Sequence, residues 1–368
     1  MKACCYPLIL LFVLLVCRSW QLQDASPSLL ITVEGGIRIY PFTQFGPNNQ
    51  ILGTLQALSL CKALNVDCIE PQLSPHTSHA SGTARSLSSL YDTSALHLIH
   101  LTKRERDPHY ILTFLRNGKP CWPGRSYWMN HGLNYSEFAD FQNTILLQWN
   151  MKRQTVEHET LEALRALQKR AVTQKQTWNV AYVYCDAMVR PIPATPVLKD
   201  AFQLFSKALI PAHKYHRVAE EILGGFSLLG KRYAALHIRL KDHCDISFDS
   251  CCCYTTGMYR NVTSAKLKAF ISELRLDKEI HGVFIAGPPV LKKFIQEWSW
   301  AKDLGVHTWF AHNTSLDSAE ESIVHQLLCA KAYKFYASVL GSTWSNTVEY
   351  WMKNDSLVFD MSNFISAR

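Results

Sequence analysis

The chain has 368 residues, 48% of them apolar and 18% charged, which is the balance of a folded globular protein and excludes a disordered or collagen-like one. Its net charge of +8 comes without a dense basic block, since Lys103-Arg104-Glu105-Arg106 and Lys292-Lys293 are short; the basic stripe of a nucleic-acid binder is missing, and no nucleic-acid partner is expected. The length exceeds the roughly 250–300 residues at which a single core stops growing, which predicts two domains.

Residues 6–17 (YPLILLFVLLVC) form an unbroken apolar run between Lys2 and Arg18. A membrane span needs about 20 apolar residues, so the run predicts a signal peptide over residues 1–20, with a short signal anchor as the alternative because no clean small-x-small cleavage site follows, and no later stretch predicts a stable membrane span. Such a leader directs the chain to the lumen of the endoplasmic reticulum or Golgi, or to secretion. The sequons at Asn134, Asn261, Asn313 and Asn354 agree with a luminal glycoprotein. Beyond the leader lie Cys61, Cys68, Cys121, Cys185, Cys244, Cys251, Cys252, Cys253 and Cys329. In an oxidising lumen most are expected to pair, the odd count leaving at least one free or cross-chain. Zinc ligands are usually separated by two residues or more, so Cys251-Cys252-Cys253 reads as disulfide chemistry and no metal is expected.

Residues 29–33 (LLITV) read as a first strand. The turn Gly46-Pro47-Asn48-Asn49 then feeds a helix over 50–64 that is apolar nearly all round and therefore buried, with Asn as its N-cap. Strands are predicted over 95–101 and 179–185, with an amphipathic helix over 155–171 between them. Three prolines between Arg190 and Pro196 make a stiff connector and divide residues 24–190 from residues 197–368. The second half alternates strands at 233–240, 282–286, 306–310 and 335–340 with helices at 263–275, 289–300, 319–333 and 344–353. Such alternation predicts parallel α/β sheets, two Rossmann-like domains facing a cleft, with ligands beyond the carboxyl ends of strands.

Three places set polar residues at such ends. Helix N-termini attract anions, which makes Asn48-Asn49 a candidate phosphate turn or a plain capping turn. His237-Ile238-Arg239 ends the strand YAALHIRL, with both polar residues expected on one face. Arg239 is a bidentate fork for phosphate or the partner of an acid such as Asp242. Gly341-Ser342-Thr343-Trp344 joins the last strand to the last helix as a phosphate cradle or a hydroxyl cap.

Asn49-Gln50-Ile51-Leu52-Gly53 through Leu64-Asn65, His237-Ile238-Arg239, and the segment FYASVLGSTW ending at Trp344 occur in the order of three motifs of the GDP-fucose protein O-fucosyltransferases. The chain resembles that family over most of its length. The resemblance implies a GT-B fold, with an acceptor-side domain over 24–190 and a GDP-sugar-side domain over 197–368. It further implies an inverting, metal-independent transfer of fucose from GDP-fucose to Ser or Thr of luminal proteins, small disulfide-rich domains among them. Arg239 and Asn49 would be the catalytic candidates, Arg239 holding the β-phosphate. Asn48, Asn49, His237, Asp242, Ser342, Thr343 and Trp344 would complete the donor site with Arg239. The sequence departs from the family pattern at Phe45-Gly46-Pro47-Asn48, which lacks an arginine. It departs again at Gly287-Pro288-Pro289, where the family often has an acid for the guanine, and at Thr343-Trp344. An inactive relative serving as a glycan- or protein-binding scaffold, and a transferase acting on glycans, are the alternatives.

Overall fold

In the computed structural model, residues 35–43, 47–73, 84–102, 104–116, 119–120, 143–148, 152–184, 192–240, 252–255, 258–261, 263–310, 316–337, 343–352 and 357–360 are described. The segment GIRIYPFT forms strand β1 (Gly36–Thr43), and its two faces are both apolar. Ile37 and Ile39 join one buried cluster while Tyr40 and Phe42 join another, as a central strand of a parallel sheet requires. The predicted first strand at 29–33 lies outside the described residues.

Helix α1 (Pro47–Leu64) follows, then β2 (Asp67–Ile69), the hairpin strands β3 (Gln72–Leu73) and β4 (Arg85–Ser86), β5 (Tyr91–Asp92), and β6 (Leu98–Ile99). Next come β7 (Tyr110–Arg116), β8 (Lys119–Pro120), β9 (Thr144–Gln148), α2 (Arg153–Thr173) and β10 (Thr177–Tyr184). Among the described residues these build a seven-stranded sheet ordered β6-β2-β1-β10-β7-β8, with β9 also on β7. All its pairs are parallel except β7 with β8. Helix α1 begins three residues earlier than its periodicity suggested, with Pro47 in the first turn, where a fixed φ and a missing N–H are tolerated. Asn48 and Asn49 therefore sit inside the helix and are not its caps. Residues 51 to 61 of α1 are all buried, as expected for a helix apolar on every side.

The second half opens with α3 (Pro196–Ala208), β11 (Ile210–Pro211) and α4 (His213–Gly225), none of them foreseen. It continues with β12 (Ala234–His237), β13 (Cys252–Thr255), β14 (Met258–Asn261), α5 (Ser264–Leu274), β15 (Val283–Ala286), α6 (Val290–Glu297), α7 (Ser299–Asp303), β16 (Val306–His307), α8 (Ser318–Ala330), β17 (Lys334–Ala337), α9 (Thr343–Trp351) and β18 (Leu357–Asp360). The second sheet is fully parallel, in the order β16-β15-β12-β17-β18. The helix expected over 289–300 is broken at Trp298, whose backbone is extended at φ −84° and ψ 104°.

The halves share one core. Ile51, Leu55 and Leu58 of α1 belong to the same buried cluster as Leu198 and Phe202 of α3, Phe284 of β15, Phe335 of β17 and Val348 of α9. Each side chain of this size buried from water contributes about 1.5–3 kcal/mol, so the shared cluster fastens the two sheets' inner faces together. Cys61, Cys68 and Cys329 are buried free thiols. The expectation of pairing does not extend to these three, and the side chains of the other six lie outside the described residues. Among the described residues no helix is long and apolar enough to cross a membrane.

Candidate functional site

Strand β12 ends at His237, three residues short of the predicted strand, although Ile238 N–H still donates to the Ala286 carbonyl at 2.8 Å. The chain then turns. His237 is 7% exposed and fully sheltered among neighbouring elements, while Arg239 stands at the surface of the same edge. The two therefore differ in environment but border one cavity of about 370 Å³. It is lined by His237 to Leu240, Gly287-Pro288-Pro289, Glu321, Ser322, His325 and Trp344, and falls in the size range of small-molecule sites, roughly 300–1,000 Å³.

Backbone closeness shapes one wall. A side chain at Gly287 would have its Cβ 2.6 Å from the Ile238 carbonyl oxygen and closer still to Leu291, so only glycine lets the β15 exit run against the β12 exit. The opposite wall is aromatic. The Trp344 indole stacks on the His237 imidazole with centroids 4.0 Å apart and planes at 23°. Trp344 Nε1 donates to Ser322 Oγ at 3.0 Å, which sets the indole's orientation. His237 Nδ1 lies 3.3 Å from Ser345 Oγ.

Both cavity histidines are neutral at physiological pH. Burial, with added repulsion from Arg239 and His325, pushes His237 down to about 3. Burial likewise pushes His325 down to about 4, against a partial opposing pull from the Trp309 carbonyl. His325 Nε2 donates to that carbonyl at 2.6 Å. Among the described residues lining the cavity, the positive charge is thus that of Arg239.

Helix α8 was predicted, but its role was not. It contributes Glu321, Ser322 and His325 to the cavity, and Gln326 to a bridge between the halves. Gln326 is completely buried, and its Nε2 donates to Asn48 Oδ1 at 2.8 Å and to the Trp344 carbonyl at 3.2 Å. The first and third motifs read from sequence are thereby joined through a residue that sequence reading passed over. The available signal was a His-Gln pair inside the apolar run IVHQLLCA. Asn49 is 9% exposed, and its Oδ1 is buried without a hydrogen-bond partner among the described residues. Asn48, Asn49 and Thr343 do not line the cavity; Trp344 does. Asp242 and Ser342 lie outside the described residues.

The α8 N-terminus is anchored across the molecule. Asp317 and Glu320 form a reciprocal capping box. Arg85 of β4 reaches Asp317 at 2.7 Å and Glu320 at 3.2 Å. Lys214 and Tyr215 of α4 also donate to Glu320, at 3.0 and 2.8 Å. Burial raises the Glu320 carboxyl, but the bonds from Lys214, the Asp317 N–H and Tyr215 outweigh it and hold the group down at about 2.

No protein-family model matches the sequence, and no curated protein matches it either. Solved structures do match. POFUT1 in complex with GDP-fucose (crystal form II) superposes with a TM-score of 0.56 at 13% identity, over 89% of this chain and 98% of that one. POFUT1 in complex with GDP gives 0.55 at 13%, over 88% and 98%. NodZ alpha-1,6-fucosyltransferase co-crystallised with GDP gives 0.46 at 9%, over 86% and 92%. The first two define the class: an α/β chain with the GT-B fold of the fucosyltransferases.

Proposed function

We propose that this chain is a GDP-fucose-dependent O-fucosyltransferase acting on Ser or Thr hydroxyls of proteins in the secretory lumen, inverting and independent of metal. The observation that carries the reading is the cavity at the carboxyl end of β12, where one guanidinium, a neutral imidazole–indole wall and a carboxylate converge in a fold that POFUT1 uses with GDP-fucose. In this reading residues 24–190 form the acceptor side and residues 197–368 the GDP-sugar side.

Arg239 holds the diphosphate through its fork of N–H donors and offsets the charge that grows on the leaving phosphate as the anomeric bond breaks. Neutral His237 and Trp344 give the nucleotide a flat, dry surface without adding charge. Glu321 accepts from the N–H edge of guanine, replacing the acid absent at Gly287-Pro288-Pro289. Asn49, the other catalytic candidate, stands in the first turn of α1, outside the cavity wall. The leader and the sequons support the luminal setting.

The test is calorimetric titration with GDP, GDP-fucose, GDP-mannose and UDP-sugars, followed by transfer assays on Ser/Thr-containing disulfide-rich domains and on free glycans. We expect selective binding of GDP and GDP-fucose, with transfer to protein. Binding of uridine nucleotides in preference, or transfer to glycans alone, overturns the donor or the acceptor assignment respectively.

A further inference from the structure

A second titratable pair stands apart from the cavity. Glu70 directly follows β2 and His100 directly follows β6, two adjacent parallel strands in register Ile69 to Ile99. Both residues therefore emerge at the carboxyl edge of the first sheet, the edge at which α/β sheets bind ligands. Glu70 N–H donates to the Ile99 carbonyl at 2.9 Å, which locks the two exits side by side. The Glu70 side chain is 8% exposed. It accepts the Ser88 N–H at 2.7 Å on Oε1 and meets His100 Nδ1 at 2.7 Å on Oε2.

A carboxylate can only accept, so Nδ1 carries the proton and donates it to Glu70. In the neutral ring, the lone pair is then on Nε2. The His100 side chain is 62% exposed, so the carboxylate end of the pair is buried and the imidazole end open. Nothing in the proposed donor site uses either residue.

The pair's edge of the first sheet is tied to the cavity helix α8 by two sets of contacts. Strand β2 neighbours β1 in the sheet, which places Glu70 one strand spacing and His100 two spacings from β1, about 10 Å at most. β1 leads into α1, whose Asn48 is bonded to Gln326 on the cavity helix α8. The β3–β4 hairpin that follows Glu70 is pinned through Arg85 to the first turn of α8. The cavity histidines are poor candidates for proton removal: both are buried and held neutral by surroundings that disfavour their protonated forms.

Resting on the donor reading above, we propose that His100 is the general base of the transfer, with Glu70 as its positioning residue. The acceptor hydroxyl gives its proton to His100 Nε2 as its oxygen bonds to the anomeric carbon of the sugar. The bond from that carbon to the β-phosphate oxygen breaks, and its electron pair leaves with GDP. The imidazolium then returns its proton to solvent. Tyr40 on β1 is the titratable group that feels the Glu70 charge, and Arg106 lies beside Tyr40; Arg85 on the following hairpin is engaged by Asp317 and Glu320.

The experiment measures GDP release from GDP-fucose with water as the acceptor, together with GDP affinity, for the full chain and for His100→Ala and Glu70→Gln. A positioned base contributes typically about 10²–10⁴-fold, and His100→Ala should lose turnover in that range with GDP affinity unchanged. Added imidazole should restore it in proportion to its concentration. Glu70→Gln should displace the pH–rate profile while leaving GDP affinity intact. Undiminished turnover in His100→Ala overturns the proposal, as does a loss that imidazole fails to restore, which would make His100 structural. A wild-type chain that binds no GDP overturns the donor reading itself, and this assignment with it; a wild type that binds GDP beside an unimpaired His100→Ala overturns this assignment alone.

Discussion

At the scale of single residues, Arg239 and His237 show how two positions apart in sequence by two can be assigned opposite electrostatic work. Arg239 is exposed and supplies charge to the cavity; His237 is buried and supplies a neutral ring. Arg239→Ala should fold normally and lose about 10²–10³ in rate, the usual consequence of removing one charge-stabilising donor. Arg239→Lys should fail too, because a point charge does not replace the fork. A folded lysine variant with near-normal turnover would sink the assignment.

The buried histidines also predict a pH dependence of stability. Both have folded values depressed below the ordinary 6.5, to about 3 and about 4. The unfolded chain therefore binds protons that the folded chain refuses. Stability is complete above about pH 6.5 and falls as pH drops toward 4, by at most about 1.4 kcal/mol per pH unit for each histidine. Denaturant titrations between pH 7 and pH 4 should show this slope, and His325→Phe should flatten it. Equal slopes for parent and variant would mean that His325 is protonated in the folded protein.

Among the elements, α8 decides most. Its capping box and its ties to Arg85, Lys214 and Tyr215 fix where it starts; its second turn lines the cavity; Gln326 joins α1 to α9. The bridge predicts a contrast between two near-isosteric changes. Gln326→Glu sets a carboxylate against Asn48 Oδ1 and the Trp344 carbonyl, both acceptors, and should destabilise by about 3–5 kcal/mol, as an uncompensated buried charge does. Gln326→Leu removes the donor but also removes the buried Oε1, which has no partner among the described residues, so its effect should stay at about 1 kcal/mol. Chemical unfolding of both variants measures the difference. Equal stabilities would show that the bridge carries no weight.

On the scale of the whole molecule, the cavity draws its described lining from the second half alone and carries the charge of Arg239; under the proposed function, that fixed charge stabilises the leaving group without a cation. Turnover should therefore survive EDTA. A steep loss restored by manganese would instead place a cation on the diphosphate.

Much of this architecture was legible in the sequence. Apolar runs alternating with helical periodicity gave the parallel second sheet, because strand and helix periods are local properties. The all-round apolarity of α1 announced its burial, and three short polar motifs marked strand exits and helix starts. What stayed hidden depended on partners distant in sequence. Strand β1 was not anticipated at Gly36–Thr43, because its identity rests on pairing with β10 and β2. The helices α3 and α4 followed a proline connector whose far side had no strong period. The His237–Trp344 stack, the Asn48–Gln326 bridge and the Glu70–His100 pair each join residues from separate elements, and composition does not encode which polar side chain meets which. The sequence by itself determined the α/β class, the helix and strand alternation of the second half, and the candidate residues at its strand ends. Only the tertiary structure decided that His237 is buried and neutral, that α8 walls the cavity, and that two carboxyl-edge exits place a carboxylate beneath an open imidazole, because burial and hydrogen bonding are set by long-range packing.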